Sequence, residues 1–328
     1  MQAPDERMGK PADHWERFWD AAGATQHDDA IRLPVLDPTW RSLLADLEFQ
    51  RDDFLAVELA CGSGSVSKHL KNKGQFTKAT KIGFDASTSA LKKLQLGELP
   101  VSGNLERLPF ARDSVDLLTS QFGIEYAGIS SIEAALDCVA SSGYFIFVMH
   151  IADGSIFDEC GKNLAAVDDF SSSGFVEAAR ALLSALWSKA PKPEQQVLLS
   201  QFQSALAVVE PQLMVLPDGQ GRDTALQTYN AIADMVEAPD SYDEVSIGNW
   251  FQQTEAELQS YCVRMQQMRN VALTKETFSS LIATANRKGF HISKQGVVRD
   301  DRSLANAPEL AFYVVGQQRG GRYDFSAD

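Results

Sequence analysis

The stretch AVELACGSGSVSKHL, residues 56–70, runs from a short apolar strand through a glycine-rich turn into a helix. Gly62 and Gly64 give the backbone freedom at the reversal, and a turn of this kind can hold a ligand against main-chain N–H groups. What surrounds it sets the fold. FLAVELA (54–60) reads as a first strand and TKIGFD (80–85) as a second. STSALKKLQL (87–96) follows as a helix that Ser87 can cap, and LPVSG (99–103) as a third strand. SVDLLTS (114–120) is a fourth strand, SSIEAALDCVAS (130–141) a helix and GYFIFVMH (143–150) a fifth strand. Near-continuous apolar strands separated by helices predict a parallel sheet covered on both faces.

The flanks differ. Residues 1–30 are polar apart from HWERFWD, in which Trp15, Phe18 and Trp19 fall at i, i+3 and i+4 on one helical face that must dock on something. PTWRSLLADL (38–47) reads as another helix. Residues 153–272 look helical throughout, broken by SSSG, APKP, LPDGQG and EAPDSYD. The alternation then resumes with a helix ending at Gly289 and two strands, FHISKQGVV (290–298) and LAFYVVGQQ (310–318), predicted to close the sheet as an antiparallel pair.

Composition bounds the function. The 328 residues are 44% hydrophobic and 23% charged, an ordinary globular balance. A formal net charge of −14 argues against a nucleic-acid partner, because phosphate backbones are bound by clustered Lys and Arg. No apolar run approaches the ~18 residues needed to span a membrane, and MQAPDERMGK is too charged for a secretory apolar region. Cys61, Cys138, Cys160 and Cys262 lack metal-binding spacing, so they read as free thiols of a cytoplasmic protein, with no metal site expected.

Three ligands compete for the glycine turn. A nucleoside triphosphate fails, because Gly64 is followed by Ser65-Val66 and not by Lys-Ser/Thr. A dinucleotide is closer, but the third position of G-x-G-x-x-G is Ser67. Asp85, about twenty residues beyond the turn, suits a ribose hydroxyl pair of any bound adenosine. Glu58, inside the first strand, could face the ammonium of an amino-acid moiety, which S-adenosylmethionine has and NAD lacks.

VELACGSGS, IGFDASTSAL, NLERLPFARDSVDLLTSQFGIEY and GYFIFVMH, in this order, resemble the class I S-adenosylmethionine-dependent methyltransferases over residues ~54–150 and more loosely over 275–318. The resemblance implies an α/β, Rossmann-like seven-stranded mostly parallel sheet with helices on both faces and an all-helical cap insertion. It implies an enzyme using S-adenosylmethionine and releasing S-adenosylhomocysteine. Glu58 would lie near the methionine ammonium, with Ala60, Gly62 and Gly64 lining the turn. Asp85 would bind the ribose hydroxyls, Ala86 would flank the adenine, Asn104 and Leu105 would meet its edge, and Gln121 would lie beside the methionine portion. Ala60 and Ser65 replace glycines, which is tolerable if φ is negative at both, and Asn104 replaces an acid. Glu58 and Asp85 each have a plainer reading as caps of neighbouring helices.

Methyl transfer needs alignment, exclusion of water and, for a hydroxyl or protonated amine, a base. His150 at the end of the fifth strand is the candidate base, with Asp153 as its partner, while Glu125 and Tyr126 could orient substrate. Simple strand-end satisfaction is the alternative for His150, and helix-start packing or capping for Glu125 and Tyr126. The chain then divides into an N-terminal helical segment over the cofactor site (1–50), the core (51–152 and 273–320), a helical lid for substrate (153–272) and a flexible tail (321–328). Trp250, Thr254, Leu258, Tyr261, Met265 and Met268 form one helical stripe, read either as a pocket wall or as helix packing and a homodimer contact. The expected acceptor is a small molecule with an O or N nucleophile. A peptide or protein methyltransferase, a silent cofactor-binding partner subunit and a nicotinamide oxidoreductase are the competing readings.

Overall fold

The computed structural model describes residues 11–21, 33–71, 74–94, 97–301 and 307–319. The tail call (321–328) and part of the N-terminal one lie outside these. In chain order the elements are α1 (Pro11–Ala21), α2 (Leu36–Leu43), β1 (Leu55–Leu59), α3 (Ser67–Lys71), β2 (Thr80–Asp85), α4 (Thr88–Leu91), β3 (Leu99–Ser102), β4 (Val115–Gln121), α5 (Gly128–Asp137) and β5 (Val139–His150). Then come α6 (Ser155–Ser172), α7 (Phe175–Trp187), α8 (Lys192–Val215), α9 (Gln220–Glu237), α10 (Glu244–Val271), α11 (Lys275–Arg287), β6 (Phe290–Arg299) and β7 (Glu309–Gln318). Short 3-10 turns cover Gly74–Phe76, Ile124–Ala127 and Pro239–Ser241.

Two compact units emerge, one of Met1–Phe157 with Asn270–Asp328 and one of Asp158–Arg269. The first holds a seven-stranded sheet in the order β3-β2-β1-β4-β5-β7-β6. β1 to β5 are parallel and β7 runs antiparallel to both β5 and β6, as the sequence pattern predicts. Strand alternation builds a core on each face. Phe145, Phe147 and Met149 of β5 join Val57, Leu118, Phe278 and Phe312 on one side. Ile146 and Val148 join Ala56, Leu117, Trp40 and Phe54 on the other. The chain leaves the sheet at Ile151 and returns at Leu273, and these two residues are bridged.

Two element boundaries depart from the sequence pattern. The helix expected over 130–141 spans 128–137, because the N–H groups of Ser114 and Val115 both take the carbonyl of Cys138 and draw 139 onward into β5. The helix expected over 87–96 shrinks to α4, since turns at Lys93 and Leu94 bring Leu94 against Gly83.

The second unit is helical. Phe175 stacks on Phe202 and Tyr229, with ring centroids 5.5 and 5.2 Å apart. Asn163 accepts from the N–H of Gly221, where a Cβ would lie 2.6 Å from the Asn163 carbonyl oxygen. Along the α10 stripe Thr254, Leu258, Tyr261 and Met265 are buried, and Trp250 and Met268 half-buried. None of the described helices is long and apolar enough to cross a membrane.

Candidate cofactor and catalytic site

β1 sits where the strand order reverses, with β2 on one side and β4 on the other, and a crevice forms outside the carboxyl ends of strands at such a point. The turn after β1 has three left-handed residues, Ala60 (φ +47°), Gly62 (φ +53°) and Gly64 (φ +89°). The expectation of negative φ holds at Ser65 and fails at Ala60. For an alanine that conformation costs roughly 1–2 kcal/mol. The structure accommodates it through Gly123, where a Cβ would come 2.3 Å from the Ala60 Cβ. A side chain at 60 therefore requires none at 123.

Glu58 is turned toward the protein. Its Oε1 accepts from the N–H of Val66 at 2.9 Å, and its Oε2 accepts from the Ser67 N–H at 2.9 Å and Oγ at 2.7 Å. The carboxyl thus caps α3, the plainer of its two sequence readings, and does not present an open carboxylate to a ligand. Burial pushes its pKa up to about 7 against the pull of those three donors. Asp85 joins two segments, accepting from the Gly62 N–H and the Ser87 N–H, both at 2.8 Å. Each of its oxygens receives one of these bonds and keeps a second acceptor position. Burial raises its pKa also.

These contacts discriminate between ligands. A pyrophosphate at a glycine turn needs the free N–H groups of the following helix. Here those of Val66 and Ser67 are occupied by Glu58. Glu58, Asp85 and Glu98 also surround Cys61 closely enough to push its thiol pKa upward together with burial. The occupied helix start therefore disfavours a dinucleotide pyrophosphate at this turn.

Other expected cofactor residues divide. Ala86 is exposed beside Asp85 and Leu105 is half-buried against the core. The Asn104 carbonyl oxygen already accepts from the Glu106 N–H at 3.0 Å in a local turn. Gln121 takes the Trp40 indole N–H on its carboxamide oxygen.

His150 and Glu125 come together at the ends of β4 and β5. Glu125 Oε1 lies 2.7 Å from His150 Nδ1 and accepts from the His150 N–H at 2.9 Å. The two side chains are 6% and 1% exposed. A proton on Nδ1 facing the carboxylate leaves Nε2 as the acceptor. Asp153, the partner expected from sequence, is exposed at φ +60°, and Glu125 takes its place because it projects from the turn after β4 straight onto the end of β5. Phe122 packs 4.5 Å from the imidazole, and Tyr126 meets it edge-on at 6.2 Å.

The strongest addition to the sequence reading is α1. Trp15 meets Tyr126 at 5.8 Å, Trp19 lies on Gly62, and Glu16 bonds the start of α4. The sequence reading set the N-terminal segment over the cofactor site, but the aromatic periodicity of HWERFWD did not tell which of its side chains would meet which residues. His69 Nε2 lies 3.4 Å from an Asp37 carboxylate oxygen, His291 hydrogen-bonds Arg319, and both belong to the scaffold. The described residues hold no metal-binding cluster, and the four cysteines are free.

Residues 57–147 match the methyltransferase domain family. Over those residues the sheet core is similar to a methyltransferase domain. Demethylmenaquinone methyltransferase of Thermotoga maritima is 32% identical over 121 residues, 35% of this chain and 51% of that protein. The chain therefore spans about half the length of the curated relative it matches. A Streptomyces coelicolor geranyl diphosphate C-methyltransferase superposes with TM-score 0.46 at 7% identity over 94% of this chain and 99% of its own. An S-adenosylmethionine-dependent methyltransferase from Mesorhizobium loti gives 0.29 at 20% identity over 35% and 52%. The matched stretch includes the glycine turn, Asp85 and Glu125 and ends at residue 147, just short of His150.

Proposed function

We propose that this chain transfers a methyl group from S-adenosylmethionine to an oxygen or nitrogen nucleophile of a small molecule. The observation that carries the cofactor half is the glycine turn, with Asp85 across Gly62 and Glu58 across the start of α3. When bound, the cofactor supplies an electrophilic methyl group that already carries its leaving group. Asp85 keeps an acceptor position on each oxygen for the ribose hydroxyls, and exposed Ala86 offers a flat edge for the adenine. Glu58 holds the turn in shape by capping the helix that follows it. Gln121 and Leu105 line the remaining sides.

The His150–Glu125 pair supports the acceptor half. Glu125 fixes the imidazole so that Nε2 can take a proton from a hydroxyl or ammonium as the nucleophile attacks. Phe122 and Tyr126 pack against the imidazole ring. The helices of 153–272 are assigned the choice of acceptor, as the lid, because the sheet core by itself only holds the cofactor. A cytoplasmic location fits four free, mostly buried thiols.

Calorimetric titration with S-adenosylmethionine, S-adenosylhomocysteine and NAD in parallel tests the reading. Micromolar binding of the first two and none of the third supports it, with Asp85→Ala weakening that binding more than tenfold. Binding of NAD alone overturns it in favour of a dehydrogenase, and silence from all three points to a partner subunit.

A further inference from the structure

α1 touches the candidate site at three places that sequence separates widely. Glu16 Oε2 accepts from Ser87 Oγ at 2.6 Å, while its Oε1 accepts from Thr88 Oγ1 at 2.9 Å, Ser89 Oγ at 2.8 Å and the Ser89 N–H at 3.2 Å. Although burial pushes its pKa up, the hydroxyls of Ser87, Ser89 and Thr88 outweigh this and hold it at about 2. Glu16 is thus ionised across the working pH range. One helical turn on, Trp19 reaches Gly62, where an added Cβ would stand 2.7 Å from the indole Cζ2. Lys93, in the turn just after α4, closes the seat, donating to the Trp19 carbonyl and lying 5.8 Å over its ring.

Together these contacts make a closed circuit. Glu16 holds Ser87, the Ser87 N–H holds Asp85 Oδ1, Asp85 Oδ2 holds the Gly62 N–H, and Gly62 carries Trp19, back on α1. The ribose-binding candidate Asp85 is inside that circuit, touched on both oxygens by residues whose positions α1 fixes. Gly62 has no side chain, so the indole edge approaches the backbone of the turn itself.

We propose that Glu16 is a positioning residue for the cofactor site: by anchoring α1 on Ser87, Thr88 and Ser89 it sets Trp19 as a wall of the glycine turn and holds Asp85 in its binding orientation. This rests on the reading of the turn as an S-adenosylmethionine site. Glu16 acts through its neighbours, and cofactor binding and seating of α1 reinforce each other. A ligand bound at Asp85 and Gly62 stabilises the seated helix, and an unseated helix loses the ligand faster.

S-adenosylhomocysteine is the probe, titrated calorimetrically into the full chain and into Glu16→Ala, Glu16→Gln, Trp19→Ala, Trp19→Phe and Asp85→Ala. Glu16→Ala and Trp19→Ala are each expected to weaken binding fivefold or more, with ligand-free melting temperatures close to that of the parent chain. Trp19→Phe, which keeps a ring on Gly62, restores most of the affinity. The double variant Glu16→Ala/Trp19→Ala is expected to lose little more than the weaker-binding single one, because both changes unseat the same helix. Saturating S-adenosylhomocysteine is also expected to slow tryptic cleavage after Arg17 in the parent and not in Glu16→Ala. Binding of Glu16→Ala within twofold of the parent, while Asp85→Ala loses it, overturns this inference and leaves the cofactor reading standing. Tighter binding by Trp19→Ala overturns it as well, since the indole would then compete with the ligand. No binding by the parent chain overturns both.

Discussion

Replacing Glu58 by Gln tests the physical account of the glycine turn through pH. Glu58 is fully enclosed and its pKa rises from 4.5 to about 7 because burial penalises the charged carboxylate more than three donors favour it. A folded-state value above the unfolded one means that the folded protein binds a proton the unfolded chain has released. That contribution to stability is whole below about pH 4.5, declines as pH rises and is gone above about 7. Integrated between pH 5.5 and 8, it amounts to about 2 kcal/mol. Gln does not titrate, so other ionisable groups cancel in the difference between parent and Glu58→Gln. Urea unfolding at the two pH values, with slopes confirmed equal, reads that difference directly. The expected result is that the parent's advantage over the variant shrinks by about 2 kcal/mol from pH 5.5 to pH 8. A difference that stays constant, or grows with pH, refutes the argument. It would mean that the donors of Val66 and Ser67 hold Glu58 ionised and that the turn carries a permanent negative charge.

Gly123→Ala drives its Cβ into that of Ala60, 2.3 Å away. It should cost about 1–3 kcal/mol in urea unfolding, with Ala60→Gly in the same chain recovering most of the loss. His150→Ala should abolish most turnover, once an acceptor is in hand, while leaving S-adenosylhomocysteine affinity within about threefold. Glu125→Gln should keep the fold and lower turnover, because an amide no longer fixes the imidazole through its carboxyl oxygen; unchanged turnover would remove Glu125 from the proton-transfer step.

Much of the sheet was legible before any coordinates. The strands carry apolar runs of a few residues between turn signals, and that pattern reflects burial on both faces, which each strand records locally. The same holds for the helix that Ser87 caps, since its Oγ meets the Ala90 N–H only three residues on. Element ends were less legible. Val139 and its neighbours continue a helical pattern in sequence, yet backbone bonds from the start of β4 pull them into β5.

The candidate site shows the division more sharply. Sequence alone determined that a glycine turn follows β1, that Asp85 closes β2, and that His150, Glu125 and Tyr126 all arrive at one end of the sheet. Residue type and position within a strand or turn are enough for that. It left open which of these groups meet. Whether Glu58 faces a ligand or a helix, that Glu125 and not the expected Asp153 meets His150, and which side chains of the aromatic helix reach the turn were decided only when elements distant in sequence were brought together. Glu125 and His150 are 25 residues apart, and Glu16 and Ser87 are 71 apart. Periodicity carries no information about a contact across such a distance, because it records only which face of an element is buried. Which side chains meet across that buried face depends on strand order, register and the backbone angles of the turns, and these exist only in the folded chain.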